Sequence, residues 1–385
     1  MMEKPAGQQL SDRQRLNWLR LIRTSNVGPA TFRDLINRFG SAEKALEMLP
    51  ELVRTSGTQR KFRIPAAEEA EKELDFANRN GARFVCMGEP DYPAALKRIE
   101  YAPPILAVKG DISVLTRPAI AIVGARNASL AGIKMAQKLA QQLGEEGYAI
   151  VSGLARGIDT AAHKGSLKTG TIGVLAGGLD RPYPPENIPL CGEITSNGGV
   201  VISEMPFGWE PRAQDFPRRN RVVAGIALGL VVIEAAQRSG SLISARLANE
   251  MGRTIFAVPG SPLDPRAAGT NRLLKEGATL VTEAQDVLDA IAPMLASPVQ
   301  QRFSLEESAH GMDAQPDTID DSLAASDERA VVIEILGPTP TSIDEIIGHT
   351  GLHASRIMTV LLELDLSGRI ERHSGGAVSL VGLDS

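Results

Sequence analysis

The chain has 385 residues, 43% of them hydrophobic and 23% charged, the composition of a globular protein too long for one ordinary domain. Two cysteines, Cys86 and Cys191, exclude a disulfide scaffold and a cysteine-based zinc module, and no apolar run approaches the roughly 18 residues of a membrane span. The formal charge of −5 argues at first sight against a nucleic-acid partner, yet residues 283–385 hold 5 Lys+Arg against 18 Asp+Glu, which leaves 36 against 28, a net +8, for the rest.

Residues 11–80 read as helical: Leu16, Trp18, Leu19, Leu21 and Ile22 lead into Asn26-Val27-Gly28-Pro29, and helical spacing resumes from Thr31 to Phe39. Helix, Gly-containing turn, helix is a helix-hairpin-helix pattern, which either grips a DNA backbone through its turn amides or serves as a packing module. The region 1–85 is therefore expected to be an N-terminal helical domain of helix-hairpin-helix or SAM-like type.

From residue 119 short apolar runs alternate with amphipathic segments. The runs are Ala119–Val123, Tyr148–Val151, Thr171–Leu175, Val200–Ser203, Leu230–Ile233 and Thr254–Val258; between them Leu130–Gly144, Asp159–Lys168, Ile188–Ser196, Arg221–Ala227 and Leu242–Met251 read as helices. Unbroken β-branched runs alternating with helices predict a parallel sheet covered on both faces, a Rossmann-like doubly wound α/β core over residues 86–292. Residues 293–326 are polar and aperiodic and read as a linker. Beyond them Glu328–Leu336, Ser342–Thr350 and Ala354–Leu366 read as three helices, and Gly368–Arg372 with Ala377–Val381 as a hairpin, so residues 327–385 predict a winged helix.

In an open parallel sheet, ligands sit beyond the carboxyl ends of the strands, where helix N-termini attract anions. Four turns there carry basic and Ser/Gly residues. They are Gly124-Ala125-Arg126-Asn127-Ala128-Ser129; Ser152-Gly153-Leu154-Ala155-Arg156-Gly157-Ile158-Asp159; Asp215-Phe216-Pro217-Arg218-Arg219-Asn220-Arg221; and Arg238-Ser239-Gly240-Ser241. The first lacks the second and third glycines of a dinucleotide fingerprint, and its arginine suits phosphate. Four such turns on one rim point to an extended anionic ligand. Phe207, Trp209 and Phe216 either stack on bases or pin their loop to the body. Glu204 and Glu234 are candidates for carboxylate chemistry or for ion pairs, and His163 reads as packed or exposed more readily than as catalytic. No GxxxxGK[ST] loop or GxSxG elbow occurs, and the five histidines suggest no metal cluster. No cofactor is expected.

These motifs, with Gly177-Gly178, Asp180, Tyr183-Pro184 and Asn187, resemble the bacterial DNA-processing protein A (DprA/Smf) family over nearly the whole chain. The resemblance implies a dimeric, non-enzymatic protein that binds single-stranded DNA and helps load the RecA recombinase during natural transformation. On that resemblance Arg156 contacts phosphates with Ser152 and Gly153 beside it. Arg126 and Arg219 extend the rim, with Gly124, Gly157, Arg218, Asn220, Arg221 and Arg238 around them, and Ser239, Gly240 and Ser241 form a phosphate seat. A cytoplasmic location is expected. Two rival readings are a nucleotide-processing enzyme of the lysine-decarboxylase-like phosphoribohydrolase type, with Glu234 as acid or nucleophile, and a mononucleotide sensor. The helix Ala354–Leu366 carries Glu363 and Asp365 beside Arg356, so the winged helix is expected to dock protein, or to regulate the core, more than to bind DNA.

Overall fold

The computed structural model describes residues 9–55, 62–296, 326–373 and 375–381. In chain order it runs α1 (Asp12–Ile22), α2 (Pro29–Phe39), α3 (Ala42–Thr55), α4 (Ala67–Arg79), β1 (Ala82–Cys86), α5 (Ala94–Lys97), β2 (Ile105–Gly110), β3 (Ala119–Val123), α6 (Leu130–Glu145), β4 (Ala149–Ser152), α7 (Ile158–Ser166), β5 (Thr171–Val174), α8 (Ile188–Ser196) and β6 (Val200–Ser203). There follow α9 (Asp215–Ile226), β7 (Gly229–Val232), α10 (Gly240–Glu250), β8 (Thr254–Ala257), α11 (Ala268–Lys275), β9 (Thr279–Leu280) and α12 (Ala284–Ala296). The last segment holds α13 (Ser326–Ile335), β10 (Thr341–Ser342), α14 (Ile343–Thr350), α15 (Ala354–Leu366), β11 (Ile370–His373) and β12 (Ala377–Leu380).

The chain divides into two compact units. The larger, with its body from Glu71 onward, is built on a nine-stranded sheet of order β1-β2-β6-β5-β4-β3-β7-β8-β9. Strands β3 to β9 pair in parallel, while β1 and β2 form an antiparallel hairpin that joins β6 antiparallel. Every residue of β3, β4, β5, β6 and β7 is buried, the signature of strands covered on both faces. Ile120, Ile122, Ile150, Val231 and Phe256 pack with Ala136, Leu139 and Leu143 of α6, Ala161 and Ala162 of α7, and Val287 and Ile291 of α12. The chain lays β3 to β6 outward in one direction, then returns to place β7 on the other side of β3. Strand order therefore reverses between β3 and β7, where a ligand crevice opens in a doubly wound sheet.

The expected strands match within one residue at each end. The hairpin β1–β2 was not anticipated; it lies in the stretch where apolar runs are interrupted by Pro93, Pro103 and Pro104. The region Asp215–Arg221, read as a turn, forms the first two turns of α9, with Asp215 at the positive end of the helix dipole and Pro217 early enough to forgo its N–H.

The smaller unit joins two segments distant in the chain: α1 to α3 within residues 11–70, and the winged helix from residue 326. The boundaries expected at 85 and 327 thus separate segments that the structure distributes differently. The described part of 1–85 divides, with β1 in the larger unit's sheet, and α1 to α3 share a compact unit with the winged helix. Of the expected linker, 293–296 end α12 and 297–325 lie outside the described residues. In the winged helix, α13, α14 and α15 enclose Val332, Ile346, Ile357, Val360, Leu361 and Leu364 under the three-stranded β10-β12-β11 sheet. Among the described residues no helix is long and apolar enough to cross a membrane.

Candidate nucleic-acid interface

The β3/β7 reversal carries a cleft of about 740 Å³. The β3–α6 turn supplies Gly124, Arg126 and Asn127, the β4–α7 turn Gly153 and Ala155, α9 its Phe216, Arg219 and Asn220, and the β7–α10 turn Arg238, Ser239, Gly240 and Ser241. Three of the four turns and the α9 segment therefore converge, although they are up to 117 residues apart in the chain (124 to 241). Arg126 and Arg238 are exposed, and Arg266, from the loop after β8, joins them in the lining. Sequence reasoning missed Arg266. Its only local signal is the Pro259-Gly260-Ser261-Pro262 break beyond β8.

The remaining anticipated residues are placed differently. Ser152 ends β4 with its side chain inward; it is fully buried and donates its hydroxyl to the Ile122 carbonyl at 2.6 Å, so it has none to offer a phosphate. Arg219 is 6% exposed and forms cleft floor, its guanidinium donating to the Val174 carbonyl at 3.2 Å and to Asn220 Oδ1 at 3.0 Å. Arg221 turns away to Glu204, at 2.9 Å, and to the Tyr101 carbonyl, and Arg218 is exposed outside the lining. This scatter is the helix at work: successive residues of α9 point about 100° apart, so adjacent arginines cannot share one rim. Arg156 stands exposed beside the cleft and pairs with the equally exposed Glu186 at 2.8 Å.

Two glycines are required by close approach. A Cβ on Gly153 would lie 2.1 Å from the Arg219 guanidinium, and one on Gly157, whose φ is +73°, would lie 2.2 Å from the Ala125 carbonyl oxygen. Gly157 thus locks the second turn onto the first, and Gly153 lets Arg219 lie beneath it.

Under the floor sits a buried polar cluster. Asp159, 5% exposed, accepts the N–H groups of Gly153 at 3.1 Å and Ala155 at 3.3 Å. Burial pushes its carboxyl up, while the Arg219 charge and the two amides pull it back; burial lowers Arg219, opposed by the Asp159 charge. His163 is completely buried and pushed down to about 3 by burial and by Arg219, so it is neutral near pH 7. Its Nδ1 lies 2.8 Å from Thr171 Oγ1, whose hydrogen goes to the Ile150 carbonyl at 2.9 Å. That hydroxyl must accept, which assigns the proton to Nδ1.

The aromatic residues divide. Phe207 packs edge-on against Phe76 and Phe84, at 5.2 and 6.0 Å, and Trp209 donates its indole N–H to Asp215 at 2.9 Å with Arg212 over its ring. Both pin the loop. Phe216 faces the cleft, with Arg126 and Arg219 over its ring at 5.8 and 5.9 Å and the half-exposed Tyr183 at its edge. Glu234, at the end of β7, accepts the Ser129 N–H at 2.9 Å and the Ser129 hydroxyl, securing the N-terminus of α6. Among the described residues no His, Cys, Asp and Glu group forms a metal site.

The family model described as DNA recombination-mediator protein A matches residues 83–292, the DprA-like N-terminal HHH domain 12–75, and the DprA winged helix domain 314–376. The protein Smf of Synechocystis sp. is 30% identical over 393 residues, covering 95% of this chain and 98% of its own length; that of Escherichia coli is 36% identical over 297 residues, 75% of each. The DNA processing protein DprA of Streptococcus pneumoniae is 47% identical over 199 residues, 51% of this chain and 70% of its own. The X-ray structure of DprA from that species superposes with a TM-score of 0.59 at 35% identity, covering 73% of this chain and 98% of its own. DNA processing protein A from Helicobacter pylori, described for its single-stranded DNA binding mode, superposes at 0.50 with 30% identity over 55% of this chain and 96% of its own.

Proposed function

This chain belongs to the DNA recombination-mediator protein A family, and from that premise we propose that it binds single-stranded DNA in the β3/β7 cleft as a DNA-processing protein of natural transformation and recombination. The observation that carries the reading is the convergence of the exposed Arg126 and Arg238, of Arg266 with its Asp264 partner, and of the N-terminal end of α10, capped by Ser239, on one cleft. Exposed guanidinium groups neutralise backbone phosphates, and the helix N-terminus adds amide donors without regard to base. Phe216 and Tyr183 supply a stacking surface, the sequence-tolerant part of strand binding.

The proposal extends to binding without turnover, in the cytoplasm, by a homodimer that delivers the strand to the RecA recombinase. What supports binding without turnover is that Glu234, the acid or nucleophile of the phosphoribohydrolase reading, is already spent on Ser129. What supports a second copy as partner is a groove of about 760 Å³ along α10, β8 and α11 near the sheet edge. It combines Leu242, Ile243 and Leu273 with Arg246, Arg272 and Glu276, charges of both signs that suit a self-complementary contact.

Titrating labelled oligonucleotides of several lengths, single-stranded and duplex, at two salt concentrations tests the reading. The expected result is preference for single strands and an affinity falling steeply with salt; preference for duplex or for mononucleotides overturns it.

A further inference from the structure

Arg266 differs from the other exposed arginines of the cleft in what it touches. Its Nε donates to Asp264 Oδ1 at 3.1 Å and its Nη2 to Asp264 Oδ2 at 2.9 Å, a two-pronged guanidinium–carboxylate contact between residues two apart in the chain. Arg126 and Arg238 make no ion pair among the described residues. The Asp264–Arg266 pair stands where a ligand can reach it: the Arg266 side chain is 43% exposed and that of Asp264 32%, and Arg266 lines the β3/β7 cleft together with Arg126 and Arg238.

The backbone that carries the pair is fixed. The Arg266 carbonyl accepts the Ala235 N–H at 2.7 Å and the Ala235 carbonyl accepts the Gly269 N–H at 2.7 Å, which ties the loop after β8 to the β7–α10 turn bearing Arg238. Asn271 of α11 holds Gly260 twice, accepting its N–H at 3.2 Å and donating to its carbonyl at 2.9 Å. Turning the Asp264 side chain is therefore enough to free Arg266. The two Asp264 oxygens also have separable duties. Oδ1 accepts the Arg266 N–H at 2.9 Å and so caps the short turn Pro265–Ala267; the cap needs one oxygen, and the second is given to the guanidinium. Hydrogen bonds from the Arg266 side chain and amide hold the Asp264 carboxyl below the ordinary carboxylate range, so it is ionised near pH 7.

We propose that Asp264 is a stand-in for a backbone phosphate: it keeps Arg266 poised at the cleft and yields it to a strand already seated on Arg126 and Arg238. A carboxylate and a phosphodiester offer the same pair of oxygens to a guanidinium edge, so the occupant can change while Arg266 stays in place. A lone anion competes poorly, because Asp264 is tethered beside Arg266. A phosphate competes once neighbouring contacts tether it as well. Asp264 thereby sets the affinity of the cleft below what its arginines could supply, and it favours strands over single anions. This role rests on the β3/β7 cleft being the single-strand site.

The test titrates the full chain with a labelled single-stranded oligonucleotide at several salt concentrations. Asp264→Asn keeps an oxygen for the cap and removes the competing charge. It should tighten binding by about three- to tenfold and steepen the log–log salt slope by about 0.7, the worth of one further phosphate contact. Adding Arg266→Ala should remove the gain, with thermal unfolding showing both variants folded. Replacing each phosphate of the oligonucleotide in turn with an uncharged methylphosphonate should then trace the gain to one position. Unchanged or weaker binding by Asp264→Asn overturns the proposal, because Asp264 then only orients Arg266, or Arg266 does not meet the strand. A gain that survives Arg266→Ala, or that is spread over many phosphates, overturns it too, since the lost charge then acts as a diffuse field. Failure of the cleft reading has its own signature: Arg126→Ala with Arg238→Ala would leave binding as in the unaltered chain, and the proposal would fall with that reading.

Discussion

The β3/β7 cleft and the unit formed by the two distant segments are made of similar parts: glycine turns, helix N-termini and arginines. They use them oppositely. In the cleft Arg126 and Arg238 are exposed and, among the described residues, make no ion pair, so their charge is available to a ligand, while Arg266 shares its charge with Asp264. In the smaller unit Arg329 is committed to the fully buried Glu363 and Arg372 to Asp34 and Asp365. The acidity of α15 is therefore internal, not a surface to repel DNA: Arg329 holds Glu363, Arg372 holds Asp365, and Asp365 also accepts the Thr31 hydroxyl of α2. A guanidinium within about 3 Å of a carboxylate has already spent much of its field, whatever its motif resembles.

The sharpest way to break this comparison is at Arg219, which belongs to the cleft by sequence and to the core by burial. Arg219→Ala should lower stability by about 3–5 kcal/mol in urea unfolding, because it leaves Asp159 buried without its cation. A loss below 1 kcal/mol would return Arg219 to the open rim. Next, combined Arg126→Ala, Arg238→Ala and Arg266→Ala should cut single-strand affinity by about two orders of magnitude in fluorescence anisotropy. The log–log salt slope should fall by about 1.4 for Arg126 and Arg238, at about 0.7 per phosphate contact, with little added by the Asp264-paired Arg266 and the thermal midpoint nearly unchanged.

The buried cluster adds a pH dependence of defined sign. His163 takes up a proton at 6.5 when unfolded and at about 3 when folded, so the unfolded state binds more protons between those values. Its contribution to stability is complete above pH 6.5 and declines as the pH falls, by about 1.4 kcal/mol per unit once well below 6.5. A His163→Gln variant should show a flatter profile between pH 6.5 and 5, and equal slopes would place the histidine in contact with water. The smallest effect is expected at Arg156, already paired with Glu186: Arg156→Ala should weaken strand binding only a few-fold, and a loss as large as that of the triple variant would show that Glu186 yields to DNA.

Much of this molecule could be read from the chain. The runs read at 119–123, 148–151, 171–175, 200–203, 230–233 and 254–258 fall within one residue of strands, apolar and rich in β-branched residues because their sheet is covered on both faces, and α15 ends where it was expected. Other features had no local signal. Asp215–Arg221 looks like a turn because Pro217 and three arginines interrupt any apolar stripe, yet it is helical, since the interior contacts of α9 lie further along at Val222, Val223 and Ile226. Phe207 and Phe216 are chemically alike, and only their neighbours make one a pin and the other a cleft wall.

The sequence by itself determined the strand and helix pattern, the turns at strand ends and the split between a basic body and an acidic end, because these depend on side-chain periodicity and on counts. Only the tertiary structure decided which charges remain available. It buried Ser152 and Arg219, committed Arg221 to Glu204, brought Arg266 to the cleft and joined two distant segments through Arg372. Whether an arginine serves a ligand or the fold depends on what lies within a few ångströms of it, and residues far apart in the chain supply that environment.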